Sequence, residues 1–415
     1  MLLSFSCSNF CSIKDQVSLS MLASSDSAHE EALIPYDRER VLRAAAIYGP
    51  NGSGKSNFID AVSMMQNFVS DSVQVKPGLK LNQYAHKLSA KEEPTRFDIQ
   101  FTVDSVRYAY GFSYRTEGIE EEYFYYFPSG RKTMIFERSG MEVTPGYRFR
   151  GKFKTAIADV LRENRLLLSC AANFSNVPEA MAAYLFFDEE LTFYSPEANN
   201  WRGYVARLIM EEPEKKRQIL ALLQRFDTGI RDVRVETVVI PGAAGESQGA
   251  AEDQPQIGRA VEENRRTRIF LQYDQFETNL INEESKGVQR LFEIVGPVLD
   301  ILDTGKVLIF DEIEDGLHER VVWELLNIFL TARGDKPAQL LFTTHDTSLL
   351  DLELLRRDQI WFTELDSSRS TNLYSLWDIK NVRKDENISK GYISGKYGGI
   401  PMLNRELARK CLLES

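Results

Sequence analysis

The spacing of apolar positions changes several times along the chain, and each change marks an element. Short apolar alternations from Leu3 to Leu19 predict a strand, a turn and a second strand. Residues 23–40 are polar and charged and predict a loop. Val41 to Tyr48, VLRAAAIY, is a short apolar run ending at a glycine, as in a buried strand. After Lys55 the apolar residues Phe58, Ile59, Val62, Met65 and Phe68 recur at helical spacing. Residues 95–139 carry repeated Tyr, Phe and Val alternations, the composition of an antiparallel meander. Between 153 and 225, LRENRLLLSCAANF, PEAMAAYLFF and PEKKRQILALLQRF predict helices, several opened by proline or polar residues.

Pro241 to Glu263 is rich in Gly, Ala and acids and predicts a mobile loop. Strand character returns at Arg268 to Phe276. Leu291, Ile294, Val295, Val298, Leu299 and Leu302 then mark a helix face. Lys306 to Phe310 reads as a buried strand, Val321 to Leu330 as a helix and Gln339 to Thr343 as another strand. Strands alternating with helices after residue 285 predict a largely parallel sheet. There is no internal repeat and no sustained heptad pattern.

Composition narrows the class. The 415 residues are 43% hydrophobic and 27% charged, which fits a folded globular protein of two or three domains. The net charge of −11 excludes nucleic-acid binding by bulk charge, so any such contact must be local. Four cysteines exclude a disulfide scaffold, and with four histidines a structural zinc site is not expected. The thiols suit a reducing cytosol. No stretch is long and apolar enough for a membrane span, and the first residues do not read as a signal peptide. The expected location is cytoplasmic.

The chemistry is carried by three segments. Gly49 to Ser56 matches G-x-x-x-x-G-K-[ST], with a predicted strand before it and a helix after it. Gly49, Gly52 and Gly54 let the backbone turn its N–H groups inward around phosphates, and the helix N-terminus adds a favourable dipole. Lys55 can reach the terminal phosphates, and the Ser56 hydroxyl can ligate Mg²⁺. The second segment is Asp311-Glu312, at the end of the buried run Lys306–Phe310. There Asp311 can hold Mg²⁺ and Glu312 can polarise an attacking water; the plainer reading is a solvated acidic turn. The third is His345, one strand–helix–strand unit later at the end of QLLFTT, where a histidine can hydrogen-bond a terminal phosphate or serve only structure.

These segments together resemble the ATP-binding-cassette ATPase superfamily, in its soluble chromosome-maintenance and repair branch. GPNGSGKSN resembles its Walker A loop, VLIFDE its Walker B segment and TTHD its switch-histidine segment. Glu284-Ser-Lys-Gly-Val-Gln289 resembles a degenerate form of the LSGGQ signature, departing from it at Lys286 and Val288. Ser8-Asn9-Phe10 with Ile13 resembles the opening strand of the branch. More narrowly, the pattern is similar to ATPase subunits of bacterial phage-defence operons, of the overcoming-lysogenization-defect and abortive-infection types. A single Walker A after an Asn-Phe strand, an insertion of roughly 230 residues between Lys55 and Ser285, and the C-terminal Gly391 to Pro401 carry that likeness.

The resemblance implies ATP and Mg²⁺ as cofactors, with Gly49, Asn51, Gly52, Ser53, Gly54, Lys55, Ser56 and Asn57 around the nucleotide and Ser56 and Asp311 on the metal. It makes Glu312, Lys55 and His345 the catalytic set. It also implies that Ser285 and Gly287, at the start of a helix, reach the γ-phosphate held by a second copy, so that ATP joins two heads and hydrolysis releases them. A serine that merely caps its own helix is the plainer alternative. Only 70 residues follow His345, too few for the nuclease domain of the lysogenization-defect proteins, so effector chemistry is expected from another chain.

Tyr147 to Lys154, YRFRGKFK, would as a strand set Arg148, Arg150, Lys152 and Lys154 on one face and aromatics on the other. It reads either as an edge strand with a charged solvent face or as a nucleic-acid contact. Lys390, Tyr392, Lys396 and Tyr397 are equally open between DNA, a partner chain and their own domain.

The expectation is thus an α/β protein: an ATP-binding-cassette-type head with a mostly parallel sheet around the phosphate loop, an antiparallel β subdomain and a compact helical insertion. Residues 1–140 and 265–415 would form the head, and 141–264 the insertion with its mobile loop at 241–263. The expected function is a Mg²⁺-dependent ATPase that dimerises on ATP and regulates a separate nuclease or toxin in phage defence, with DNA as a further candidate partner and no membrane contact. The alternatives are a DNA-repair or recombination ATPase, or an ATP-gated scaffold of slow turnover.

Overall fold

The strand leading into the phosphate loop, Ala44–Tyr48, is buried at every residue, and its three alanines let neighbouring layers approach it closely. In the computed structural model, which describes residues 1–194, 201–239, 265–332, 334, 336–383 and 386–401, this strand lies inside a six-stranded sheet. The order is Leu191–Tyr194, Val307–Phe310, Gln339–Thr344, Ala44–Tyr48, Ile360–Leu365 and Thr371–Ser375. The first five are parallel and the last returns antiparallel. Parallel strands end on one edge, and in open α/β sheets that edge is where ligands bind. Phe310 pairs with Phe342, and Thr344 with Tyr48, so Asp311, His345 and Gly49 all emerge from this edge.

An antiparallel seven-stranded sheet is the second layer, in the order Glu142–Pro145, Thr133–Ser139, Gly118–Phe127, Val106–Arg115, Thr95–Val103, Leu2–Ser8 and Val17–Ser20. The expected meander is present, with irregularities in register at Ser113/Tyr114 and Phe124/Tyr125. The helix after the phosphate loop, Lys55–Asp71, packs on this sheet through its apolar stripe: Phe58 meets Phe5 edge-on at 5.5 Å and Phe68 meets Tyr114 at 4.6 Å. Burial of such aromatic side chains dominates the stability of a core of this kind. One ion pair sits inside it. Glu122 and Arg138 are fully buried and 3.1 Å apart. Glu122 also accepts from the Tyr110 hydroxyl and from the backbone N–H of Leu167 and Leu168, which caps the helix Leu167–Phe174. A buried pair survives only when its remaining valences are satisfied in this way.

Contacts divide the chain into two compact units, and their limits differ from those read in the sequence. The first holds Met1–Pro196, Ile301–Asp315 and Val322–Ser415; the second holds Glu197–Asp300 and Gly316–Val321. Residues 141–196 therefore belong with the head: Glu142–Pro145 extends its antiparallel sheet, and Pro178–Leu185 follows in the same unit. The second unit is not purely helical. Helices Arg202–Glu211 and Pro213–Arg225 accompany an antiparallel sheet of Asp232–Val239, Arg265–Gln272 and Glu277–Asn279. Within it the helix beginning at Lys286 is tied by Arg202 to Glu293 at 2.6 Å, and Gly296 accommodates Val205. The segment 241–263, expected to be a mobile loop, lies outside the described residues.

Three local expectations failed, each for its own reason. Val41–Tyr48 is two strands, because Glu39–Val41 folds back on Ile34–Tyr36 around Asp37, whose φ of 49° makes the tight turn; 23–40 is therefore not all loop. The helix expected from Leu161 starts only at Leu167, since Asn164 and Arg165 are held by the carbonyls of Lys76, Leu79 and Val75. Tyr147–Lys154 is not a strand. Tyr147–Phe149 is a turn of 3₁₀ helix, and Phe149 and Phe153 are buried together, so the chain curls to seat both rings.

Candidate functional site

The phosphate loop is shaped by glycine at positions where a side chain would collide. A Cβ on Gly49 would stand 2.2 Å from Thr363 Oγ1, and one on Gly54, whose φ is 100°, 2.1 Å from Thr371 Oγ1. Two threonines of the last sheet hairpin brace the loop from behind. Thr363 Oγ1 donates to the Tyr48 carbonyl at 3.2 Å, so the Ser53 hydroxyl donates to it, at 2.6 Å. Thr371 Oγ1 donates to the Ser53 carbonyl at 2.9 Å and so accepts from Ser12 at 2.7 Å; Ser12 in turn accepts from Asn57 at 2.6 Å. Asn51 is exposed.

The helix from Lys55 begins with no side-chain cap and no acid in its first turn. Its first N–H groups are thereby left for an anion, which is the fit a triphosphate requires. Lys55 is buried and its Nζ donates to the Gly49 carbonyl at 2.9 Å and the Pro50 carbonyl at 3.3 Å. Burial lowers its pKa, while Glu312, Asp311 and Glu314 push it back up.

The acidic strand ends against this loop. Ser56 Oγ lies 3.4 Å from Asp311 Oδ1, across 255 residues of sequence. Thr343 of the adjacent strand donates to the same Asp311 oxygen at 2.5 Å and accepts from the Glu312 N–H at 2.8 Å. Glu312 is exposed, with a left-handed φ of 52° that turns the chain sharply after the strand. Glu314 accepts from the His345 N–H at 2.5 Å, and its second oxygen has no hydrogen-bond partner among the described residues. The pKa of His345 is lowered, by desolvation and then by Lys55, against the pull of Glu314, Glu312 and Asp311. A lowered pKa favours the neutral ring, which donates from one nitrogen and accepts at the other.

Lys55, Ser56, Asp311, Glu312 and His345 thus converge on one sheet edge. Ser56 and Asp311 offer hard oxygen donors, as Mg²⁺ prefers. Among the described residues no three His, Cys, Asp or Glu side chains converge as a metal site, so such an ion would draw its other ligands from phosphate and water. Beside the loop, a cavity of about 600 Å³ is lined by Cys11, Ser12, Asn57, Tyr84, Lys87 and Arg369, among others.

Ser285 and Gly287 lie in the second unit. Ser285 is exposed, and its hydroxyl accepts from the Val288 N–H at 3.3 Å as a helix cap. A Cβ on Gly287 would press to 2.8 Å on the Gly316 carbonyl, so glycine is needed there for close packing.

Sequence reading missed Thr343, Glu314, Ser12, Thr363 and Thr371. Thr343 opens the TTHD segment and Glu314 lies two residues past Glu312, so both were legible as neighbours. Thr363 and Thr371 carry no local signal, because hydroxyls are common in strands. Thr363→Val is expected to weaken ATP binding about tenfold, the worth of one to two hydrogen bonds, while Thr363→Ser restores it. Titration with a fluorescent ATP analogue measures both; equal affinities would show the brace to be idle.

A strand, a glycine-rich loop capped by lysine and serine, and an acid pair on the next strand but one define the site of a P-loop ATPase. The chain belongs to the family described as "AAA domain, putative AbiEii toxin, Type IV TA system", whose model matches residues 44–351. The expected likeness to ATPases of the abortive-infection type agrees with that description. No curated protein matches the sequence. Among solved structures, the SMC head domain from Thermotoga maritima is 12% identical, with a TM-score of 0.43 over 90% of this chain and 98% of that one. A SmcHead bound to the C-winged helix domain of ScpA is 13% identical, with a TM-score of 0.43 over 90% and 97%. An Smc head domain bound to the C-terminal domain of ScpA, derived from Pyrococcus furiosus, is 12% identical, with a TM-score of 0.40 over 90% and 96%. Among the described residues no helix is long and apolar enough to cross a membrane.

Proposed function

We propose that the chain hydrolyses ATP with Mg²⁺, dimerises while ATP is bound and thereby controls a separate toxin or nuclease subunit in the bacterial cytoplasm. The observation that carries the ATPase part is the meeting of Ser56 with Asp311 beside a buried Lys55, an arrangement that suits a phosphate and its Mg²⁺. The loop N–H groups and Lys55 bind the phosphates, and the base and ribose occupy the cavity beside Ser12 and Tyr84. Mg²⁺, held by Ser56 and Asp311, would supply charge neutralisation. Glu312 accepts the proton of the attacking water, and His345 donates to the terminal phosphate.

Ser285 and Gly287 are assigned to the γ-phosphate of a second copy. The exposure of Ser285 at the start of a long helix supports this: its hydroxyl caps its own helix by accepting from the Val288 N–H and still has a proton to donate. The toxin–antitoxin description of the family supports a second chain as partner. Phosphate release assayed with and without Mg²⁺, alongside sedimentation with ATP, is the test. The expected result is Mg²⁺-dependent release and a dimer only with ATP. A dimer without turnover would favour the ATP-gated scaffold, and the absence of both would end the proposal.

A further inference from the structure

The turn at Tyr147–Lys154 has no part in the nucleotide site. Between Pro128 and Lys154 the sequence holds seven basic and two acidic residues, in a chain of net charge −11. One of the seven, Arg138, is consumed by buried Glu122. Arg148, Arg150, Lys152 and Lys154 are all exposed and form no ion pair with any described residue. Phe149 and Phe153 are buried and stack at 6.4 Å, anchoring the turn while the cations between and beside them project outward. Tyr147 is 82% exposed, with the Arg150 guanidinium 5.1 Å from its ring centre. An edge strand would explain charge alone. Here the backbone is not a strand, and a large aromatic ring is held in solvent beside the cations.

A charged surface that serves only solubility mixes signs, because unpaired like charges repel. Four unpaired cations on one anchored turn form instead a site for a polyanion. The exposed ring selects within that class: a base can stack on Tyr147 while the flanking cations follow the phosphates. We infer that Tyr147, Arg148, Arg150, Lys152 and Lys154 form a contact for single-stranded nucleic acid, separate from the ATP site.

The test is fluorescence anisotropy of the full chain with a labelled single strand of about 30 nucleotides. Titrations at about 50 and 200 mM salt give the slope. Four phosphate contacts predict a log–log slope near −3. Replacing the four cations by alanine is expected to weaken binding at least about tenfold and to flatten the slope. Tyr147→Ala is expected to weaken binding about fivefold or more with the slope unchanged, a split that loss of charge alone would not give. ATP turnover should match the parent in both variants. If the fourfold variant does not fold, Arg148→Ala with Lys152→Ala makes the same comparison. The inference fails if the parent does not bind, if the charge variants bind with parental affinity and slope, or if duplex DNA and heparin bind as tightly and Tyr147→Ala changes nothing, which would leave a general polyanion surface.

Discussion

Lys55→Ala is expected to lower ATP affinity by about 100-fold, the worth of roughly 3 kcal/mol in charge-assisted hydrogen bonds to phosphate. The lysine is buried within the phosphate loop and holds the Gly49 and Pro50 carbonyls, so it stands where the phosphates must lie. Burial pushes its pKa down and the three nearby carboxylates push it up. An arriving triphosphate adds more negative charge and favours the cation further. Alanine removes that charge and leaves Glu312, Asp311 and Glu314 facing an anion. Turnover should vanish with binding. Isothermal titration with Mg·ATP measures the loss. Retained affinity would mean that the loop does not hold nucleotide.

How much of this site could be read from sequence follows from how local its chemistry is. Gly49 to Ser56 was legible because one loop must satisfy phosphate geometry by itself, and each required residue lies within eight positions. Asp311 and His345 were legible only as strand ends. That they share an edge with the loop depends on parallel pairing of Gln339–Thr344 with both neighbours. The brace of Thr363 and Thr371 was invisible for the opposite reason. Each threonine bonds a loop more than 300 residues away in sequence, and nothing near it in the chain announces that partner.

The same logic separates the parts of the fold. The meander was readable because neighbouring strands pair in order, with alternation set by one buried face. The boundary read near 140 differs from the division by contacts because Glu142–Pro145 and the capped helix Leu167–Phe174 join the antiparallel layer, the helix through Glu122, a buried charge the pattern treats as surface. The basic turn was misread as a strand because alternation of basic and aromatic residues also fits two rings four positions apart that bury together. The C-terminal Tyr392 and Tyr397 were left open between partners; both rings stack on Phe362, at 5.3 and 6.1 Å, and so serve their own domain.

Glu312→Gln is expected to cut turnover by about 100- to 10,000-fold while keeping ATP binding, which separates the base from the binding groups. The side chain keeps its size, and its backbone φ of 52° is one that Gln adopts at little more cost than Glu. What is lost is the ability to take a proton from water. Loss of a negative charge close to Lys55 and the phosphates also favours the bound state, so affinity should hold or improve. Size-exclusion chromatography with light scattering and Mg·ATP should then show a dimer that persists, where the parent returns to monomer as ATP is consumed. Adding Ser285→Arg to the same chain should abolish the dimer and spare ATP binding, since it blocks only the donors assigned to the second copy. A monomer in Glu312→Gln with ATP bound would sink the composite site. Unchanged turnover would move the base to Glu314, whose free oxygen and bond to the His345 N–H place it next in reach.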